Sequence, residues 1–434
     1  MLNRNTLLAN AAFLVIIAST HADDWPQWRG PKRDGVWRES GIVERFAGKE
    51  LKHRWEAPIG SGYSGPTVAA GRVYVTDREV EPAQIERVLC FDEQTGKKLW
   101  DHTYDCPYVN IGYGAGPRAS VTVDNGRAFA LGAMGHLHCF DAAAGNLLWK
   151  KDLAKEYKIK MPIWGIAASP LVDGELVILH IGGQPDACIV ALDKKSGAER
   201  WRGLADDASY SAPIITEQAG RRVLICWTGQ HVAGLDPQSG EVLWKYHFPP
   251  RQVIIGIATP VIDRNRVFVS SFYDGSLLLK LPNDRLAAEK IWQRAGTDER
   301  NTDALHSIIS TPYFRGDYIY GVDSYGELRC LRAADGERVW ENLTATPKAR
   351  WSTIHMVENH GRLWMFNERG ELLIGKLSPQ GFEELSRAKL IEPTTVQLSK
   401  RGGVSWSHPA FANRHVFARS DEKLVCASLE PGEN

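Results

Sequence analysis

The sequence predicts an all-β protein: an eight-bladed β-propeller of four-stranded antiparallel blades, closed by an N-terminal strand. Three features predict this fold, namely a repeated turn motif, a repeated strand opening and an unpaired strand before the first repeat. The 434 residues include 52 basic and 52 acidic side chains, and 43% of them are hydrophobic. This balance is typical of an ordinary globular protein, so neither a disordered chain nor a nucleic-acid partner is expected.

The turn motif consists of aspartate, two variable residues, a small residue, glycine, three variable residues and tryptophan. It predicts a hairpin between the last two strands of a unit. In the first copy Asp92 can accept hydrogen bonds from backbone N–H groups, and Gly96 can take a positive φ. Trp100 can place a flat apolar side chain on the strand that follows the turn. The copies span Leu89–Trp100, His138–Trp149, Val190–Trp201 and Ala233–Trp244, with a variant at Cys330–Trp340. The tryptophans recur about 43 to 52 residues apart, at Trp55, Trp100, Trp149, Trp201, Trp244, Trp292 and Trp340.

The strand opening consists of a small or polar residue before proline, an apolar pair, a turn and a second apolar strand. Ser64–Val68 followed by Arg72–Val75 is the clearest copy. Because these runs are short and bounded by turn-forming residues, each unit is expected to contain four short strands. Radial stacking then covers the apolar faces that a lone sheet would leave wet. The eight units begin near Ser64, Ala119, Ser169, Ser211, Thr259, Ser310, Ser352 and Ser407.

The closing strand is predicted from a mismatch between the two ends of the repeat array. The eighth unit stops near Leu429, before its last strand could form, while Trp55 stands in a strand-like run ahead of the first unit. We therefore expect residues near 55 to pair with residues near 425 and complete the last blade. An open array would instead leave two exposed edges, which favour aggregation.

The N-terminal residues predict export. Residues 1–22 combine Arg4, an apolar run from Leu7 to Ala18 and a small-residue cleavage site near Ala22, as in a secretory signal peptide. The predicted domains are therefore the signal peptide at 1–22, a segment at 23–50 that packs on the propeller, and a single propeller at 51–434. The mature chain is expected to be periplasmic or secreted, monomeric and without a transmembrane span.

The seven cysteines do not suggest a disulfide framework. Four of them occupy one slot of the repeat, where other copies place Ala191 or Gly234, so they are expected to be small buried side chains. Cys106 lies outside that slot, in an Asp-Cys-Pro stretch, and its redox state and reactivity are left open.

The turn copies resemble the pyrroloquinoline-quinone (PQQ) type repeats shared by quinoprotein alcohol dehydrogenases and the outer-membrane assembly lipoprotein B. The resemblance runs from about residue 50 to the end, and Asp24–Pro31 is similar to the start of secreted PQQ-like propellers. For the dehydrogenases it implies a quinone held with calcium, a catalytic aspartate and an adjacent cysteine pair. The sequence has no Cys-Cys dipeptide and no Cys-X-X-Cys-His haem site. We therefore predict no metal site and no cofactor, and PQQ with calcium stays an alternative.

The central channel is the predicted site, because the strand openings of all blades converge there. Aromatic and basic side chains near these openings are the predicted ligand-binding residues: Tyr63, Tyr113, Arg118, Trp164, Tyr210, His306, Trp351, Trp406 and His408. They could equally serve only to fill the wide hole of an eight-bladed ring. The predicted function is a non-catalytic binding or assembly module for a protein or saccharide partner at one propeller face. The alternative is a divergent PQQ-dependent dehydrogenase that oxidises an alcohol or sugar, for which no catalytic residue is predicted.

Overall fold

The computed structural model describes residues 23–398 and 401–433, so the predicted signal peptide lies outside the described residues. Within them, 32 strands form eight four-stranded antiparallel sheets arranged as a ring, with one short helix. The predicted all-β propeller is confirmed. No helix in this part of the chain is long and apolar enough to cross a membrane.

The blades follow the chain in order, apart from the first strand, β1 (His53–Pro58). Blade one contains β2 (Thr67–Ala69), β3 (Arg72–Glu79), β4 (Ile85–Asp92) and β5 (Lys98–Asp105). Blade two contains β6 (Thr122–Asp124), β7 (Arg127–Leu131), β8 (His136–Asp141) and β9 (Leu147–Asp152), followed by the helix α1 (Leu153–Glu156). Blade three contains β10 (Leu171–Asp173), β11 (Leu176–Gly183), β12 (Ala187–Asp193) and β13 (Glu199–Gly203). Blade four contains β14 (Ile214–Gln218), β15 (Arg221–Trp227), β16 (His231–Leu235) and β17 (Val242–His247).

The second half of the ring repeats this pattern until the last blade. Blade five contains β18 (Val261–Asp263), β19 (Arg266–Ser271), β20 (Gly275–Lys280) and β21 (Glu289–Arg294). Blade six contains β22 (Tyr313–Arg315), β23 (Tyr318–Val322), β24 (Leu328–Arg332) and β25 (Arg338–Asn342). Blade seven contains β26 (Ile354–Asn359), β27 (Arg362–Asn367), β28 (Glu371–Ser378) and β29 (Gly381–Lys389). Blade eight contains β30 (Ala410–Ala412), β31 (His415–Arg419), β32 (Lys423–Ser428) and β1.

The ring is closed by β1, as predicted. It pairs antiparallel with β32, with Trp55 opposite Cys426 and Ala57 opposite Leu424. The first strands of adjacent blades, such as β2 with β6 and β2 with β30, contact each other, so the first strand of each blade lies innermost around the channel.

The turn motif holds neighbouring blades together as well as closing its own hairpin. The carboxylate of Asp92 accepts the backbone N–H groups of Gln94 (3.2 Å) and Thr95 (2.9 Å), and Gly96 has φ +69°, both as predicted. In four of the five copies the tryptophan indole instead donates to a backbone carbonyl of the next blade, whereas that of Trp244 donates to Gln218 of its own blade. The Trp149 indole donates to the Lys194 carbonyl at 3.2 Å and packs on the glycine of that turn, Gly197.

The segment after the predicted signal peptide crosses the face of the ring where each first strand turns into the second. Trp25 exchanges two backbone hydrogen bonds with Val68 of blade one (2.9 and 3.0 Å). Further along, Trp37 N–H donates to the Glu358 carbonyl of blade seven at 2.8 Å, and its ring lies 5.4 Å from that of Trp364. Between these two contacts, the Trp28 indole N–H donates to the Thr259 hydroxyl at 2.8 Å, next to blade five and opposite blade one, so the segment spans the channel.

All seven cysteines are free and buried, so the four in the repeat slot are small buried side chains, as expected. Cys106 is also fully buried, with its Sγ 3.7 Å from His136 Nδ1. Burial, followed by the neighbouring Glu86 carboxylate, raises the pKa of the Cys106 thiol. Little thiolate would therefore form there at neutral pH.

Candidate functional site

Eight connecting loops build the candidate site. Each leads from the outer strand of one blade to the inner strand of the next. Because the strands of a blade alternate in direction, these loops all lie at one end of the ring, termed here the loop face. The loops are 59–66, 106–121, 153–170, 204–213, 248–260, 295–312, 343–353 and the described parts of 390–409.

The channel opens at the loop face as a cavity with about 970 Å³ of space between protein atoms, part of it open to solvent. Its lining is mostly apolar and aromatic. Besides the predicted residues, it includes Trp28, Ala167, Ser169, Ala212, Ile257, Thr259, Ile308, Ile309 and His355.

The structure brings eight of the nine predicted residues to this cavity: Tyr63, Tyr113, Arg118, Trp164, Tyr210, Trp351, Trp406 and His408. His306 is not part of the lining. It is fully buried, its Nδ1 lies 2.9 Å from the Phe272 carbonyl oxygen, and its Nε2 accepts the Gly296 N–H at 3.1 Å. His306 therefore supports the loops behind the cavity.

Sequence reasoning missed several lining residues, and the strand opening carried a signal for six of them. Ser169, Ala212 and Thr259 are the small or polar residues directly before the proline. Ala167, Ile257 and Ile309 stand three residues before a proline, which is the position of Tyr63 and Tyr210 in their own units. They were missed because only aromatic and basic side chains were sought there. Trp28 and His355 carry no repeat signal, since one lies in the N-terminal segment and the other within β26.

Tyr113 brings the aromatic side chains of the mouth together. Its ring centroid lies 6.0 Å from that of Trp164, 5.6 Å from Trp351 and 5.8 Å from Trp406. These rings come from four different loops and meet edge to face, which is a favourable geometry for aromatic pairs. Tyr113 therefore reaches across the cavity and narrows its opening.

Arg118 is the cation of the lining, and some of its N–H groups form hydrogen bonds that hold a loop of the fold. Its guanidinium donates to the carbonyls of Gly116, Gly112 (2.9 Å) and Tyr113 (2.6 Å), and lies 5.1 Å from the Tyr63 ring centroid. Three of its five N–H donors are used in this way. Among the described residues the other two have no hydrogen-bond partner, while the first three hold the loop that carries Tyr113.

Three hydroxyl oxygens of the lining each accept one hydrogen bond from the protein. The Tyr210 hydroxyl accepts the Trp164 N–H at 3.3 Å, and the Thr259 hydroxyl accepts the Trp28 indole N–H at 2.8 Å. The Ser169 hydroxyl accepts the N–H of Ser120 at 2.9 Å. Each of these oxygens has one lone pair left for another donor.

Two histidines at the base of the cavity are held neutral. His355 Nε2 donates to the Trp406 carbonyl at 2.8 Å, and His408 Nε2 accepts the Ser120 hydroxyl at 2.6 Å. Burial lowers the pKa of His355 to about 4 and that of His408 to about 3. Burial also raises the pKa of the lining tyrosines Tyr63 and Tyr210 to about 12. All four groups are therefore uncharged at neutral pH.

Trp28 forms the floor of the cavity. Its ring lies 4.5 Å from that of His408, in an edge-to-face arrangement, and it belongs to the segment that crosses the channel. Just beyond it, the Arg33 guanidinium donates to the carbonyls of Ser169, Pro170 and Pro213 (3.1 Å to Pro213). Burial lowers the pKa of Arg33 to about 9.

The cavity does not fit a quinone held with calcium. Calcium takes six to eight oxygen ligands and favours carboxylates, and within residues 23–398 and 401–433 no Asp or Glu lines the cavity. In the same part of the chain, no group of three or more His, Cys, Asp or Glu side chains is placed to hold a metal ion. We derive no redox step for this site.

Comparisons with known proteins point to one family. A family model described as outer membrane protein assembly factor BamB matches residues 84–342, more than half of the chain. BamB of Shewanella oneidensis is 22% identical over 276 residues, which cover 61% of this chain and 68% of that protein. BamB of Yersinia pestis is 19% identical over 254 residues, which cover 56% of this chain and 60% of that protein.

Solved structures share the architecture. The crystal structure of BamB from Moraxella catarrhalis superposes with a TM-score of 0.59 at 16% identity, covering 88% of this chain and 99% of that one. A europium-containing methanol dehydrogenase superposes with a TM-score of 0.66 at 12% identity, covering 92% of this chain and 90% of that one. At such identities the likeness shows the fold alone, so it does not distinguish a binding protein from an enzyme.

Proposed function

Because the chain belongs to the family of the outer membrane protein assembly factor BamB, we propose that it is a non-catalytic module that binds a protein partner during the assembly of outer membrane proteins. The partner docks on the loop face. In this proposal the chain is exported, acts in the periplasm and works as a monomer.

The proposed docking site rests on a set of exposed apolar side chains, termed here the rim. It consists of Val109, Ile163, Val253 and Val396, which are 43% to 59% exposed. Each stands on a different connecting loop, so all four lie on the loop face around the cavity mouth. Exposed apolar side chains gathered on one face are typical of a protein interaction site.

The lining favours a protein over a saccharide. A sugar needs many hydrogen-bond partners for its hydroxyl groups, whereas the oxygens of Tyr210, Thr259 and Ser169 already accept bonds from the protein. The alternative of a quinone-dependent dehydrogenase is not supported by the lining, because it offers no carboxylate for calcium among the described residues.

The test compares the rim with a matched set on the perimeter. One variant replaces all four rim residues with serine. The control replaces Leu99, Leu148, Val242 and Val339 with serine; these side chains are 39% to 45% exposed but lie on the outer strands. Both variants are expressed in the native cell in place of the wild type, and folding is checked by thermal unfolding.

The rim variant is expected to lower the amount of folded outer membrane protein, and the perimeter variant is expected to leave it unchanged. A photo-crosslinker at position 396 should capture an envelope protein that one at position 339 does not. Equal effects of the two variants, or no effect of either, would contradict the proposed docking face.

A further inference from the structure

We propose that the central cavity binds an apolar group that carries a carboxylate. The group is either a small free acid or the C-terminal residue of a polypeptide. This inference does not depend on the rim or on a role in assembly, because it follows from the chemistry of the cavity wall alone.

The apolar part of the ligand follows from the side chains that line the wall. Aromatic rings form the mouth and the floor, and isoleucines and alanines lie between them. Burial of apolar surface stabilises a complex with such a wall. Since Tyr113 draws Trp164, Trp351 and Trp406 around the opening, a flat or compact hydrophobic group fits better than an extended polar chain.

The wall contains a charged donor. Among the described residues, Arg118 keeps two N–H groups without a hydrogen-bond partner after bonding its own loop. A ligand oxygen that only accepts hydrogen bonds matches this donor. An ionised carboxylate has that property, whereas a hydroxyl or an amide also brings donors that need acceptors.

The charges around the cavity are positive. Arg118 stands in the wall, and Arg33 is only 5% exposed beneath the floor. In the described part of the chain, Arg33 bonds backbone carbonyls and the Gln27 side chain and has no carboxylate partner. A buried cation without a counter-ion is costly, so an anion bound in the cavity above it would be stabilised.

The effects of neighbouring charges on the pKa values of the lining groups also indicate that positive charge is close to the cavity. After burial, the largest effect on the pKa of Tyr63 is the lowering by Arg118, and the carboxylate of Asp421 opposes it more weakly. Burial is the main cause that lowers the pKa of His355 and His408, and the Arg29 charge adds a smaller lowering to each. The Asp421 carboxylate is itself occupied, since it accepts the N–H of Gly62 at 3.1 Å.

The first experiment compares an acid with its amide on the wild-type protein, so it does not depend on a variant folding. Binding of indole-3-propionate, indole-3-propionamide and maltotriose is measured by calorimetry at low salt. The acid is expected to bind about tenfold more tightly than the amide, because only the acid adds an attraction between opposite charges to the hydrogen bond from Arg118; tenfold corresponds to about 1.4 kcal/mol. Maltotriose is not expected to bind.

A second arm separates the two sources of the carboxylate. It uses acetyl-Ala-Ala-Trp with a free C terminus and the same peptide with a C-terminal amide. Binding of the free-acid peptide without the small acid would identify a polypeptide C terminus as the ligand, and the reverse would identify a small acid. Either result supports the carboxylate site.

Two variants locate the site. Ala167→Phe fills the cavity from its wall and should abolish binding, while Ala143→Phe places the same ring on an exposed turn and should not. Arg118→Gln should reduce the affinity of the acid to that of the amide. The proposal is overturned if acid and amide bind equally, if maltotriose is preferred, if Ala167→Phe binds as the wild type does, or if no acid binds at millimolar concentration.

Discussion

A glycine at the turn of each motif allows the tryptophan of the preceding blade to pack closely on the backbone, because glycine has no Cβ atom. Gly197 has φ +70°, and a Cβ there would lie 2.9 Å from the Trp149 ring of the preceding blade. Gly220 has φ +72°, and a Cβ there would have nothing within 4 Å. The two glycines thus share the same backbone strain and differ only in the tryptophan contact.

Gly197→Ala is therefore expected to destabilise the protein more than Gly220→Ala. The change at Gly220 costs about 1 to 2 kcal/mol, for the left-handed backbone alone. The change at Gly197 adds about 1 to 3 kcal/mol, because the blade junction is overpacked. Thermal unfolding of both variants measures the difference, and equal losses would mean that the junction relaxes around the added methyl group.

Sequence reasoning at the level of single residues succeeded where a residue's role repeats. Asp92 and Gly96 could be assigned because each has counterparts in other units. The same spacing rule failed for His306, which stands six residues before a proline, as Trp164 does. Backbone partners in blade five hold the His306 ring behind the wall, and no repeat pattern encodes such contacts.

At the level of elements, strand β1 differs from the others because its sheet partner, β32, lies near the opposite end of the chain. Trp55 donates from its indole N–H to the Glu93 carbonyl at 2.8 Å, across the junction between blades eight and one. Trp201 makes the equivalent bond to the Pro237 carbonyl at 3.1 Å, between blades three and four. Their exposed fractions are 8% and 7%.

Trp55→Ala and Trp201→Ala are therefore expected to destabilise the protein by similar amounts, roughly 3 to 5 kcal/mol each. The reason is that both remove a buried indole from the same kind of blade junction. Denaturant unfolding followed by tryptophan fluorescence measures both. If Trp55→Ala left the midpoint unchanged, the closing blade would not share the stability of the ring.

The path of the N-terminal segment over the propeller could not be predicted from the sequence. The segment has neither strand nor helix periodicity, although its Asp24–Pro31 motif is recognisable. Its position depends on isolated contacts with distant blades, such as Trp28 with Thr259 and Arg33 with Pro213. The blades could be predicted because they repeat. The floor of the cavity could not be predicted, since it is formed by a segment that occurs only once.

At the scale of the whole molecule, several buried histidines make stability depend on pH. Burial lowers the pKa of His138 and His408 to about 3, and that of His180 and His355 to about 4. In the unfolded chain these groups titrate near pH 6.5. Between the two values the unfolded state binds more protons, so stability falls as the pH falls.

Lowering the pH from 7.5 to 4.5 is thus expected to lower the midpoint of thermal unfolding steadily. Each buried histidine contributes about 1.4 kcal/mol per pH unit within its window. His180→Asn should make the dependence shallower, while His360→Asn, which changes an exposed side chain, should not. An unchanged slope in His180→Asn would mean that this imidazole does not stay neutral in the fold.

The pairing of β1 with β32 also governs the order in which the molecule can form. In the proposed export the chain emerges N terminus first, so β1 is free before any other strand of the propeller and β32 after all of them. Blades one to seven can each assemble from strands that emerge together, but the eighth cannot. A chain cut short before β32 would therefore carry seven complete blades and an unpaired β1, with the Trp55 indole outside any sheet.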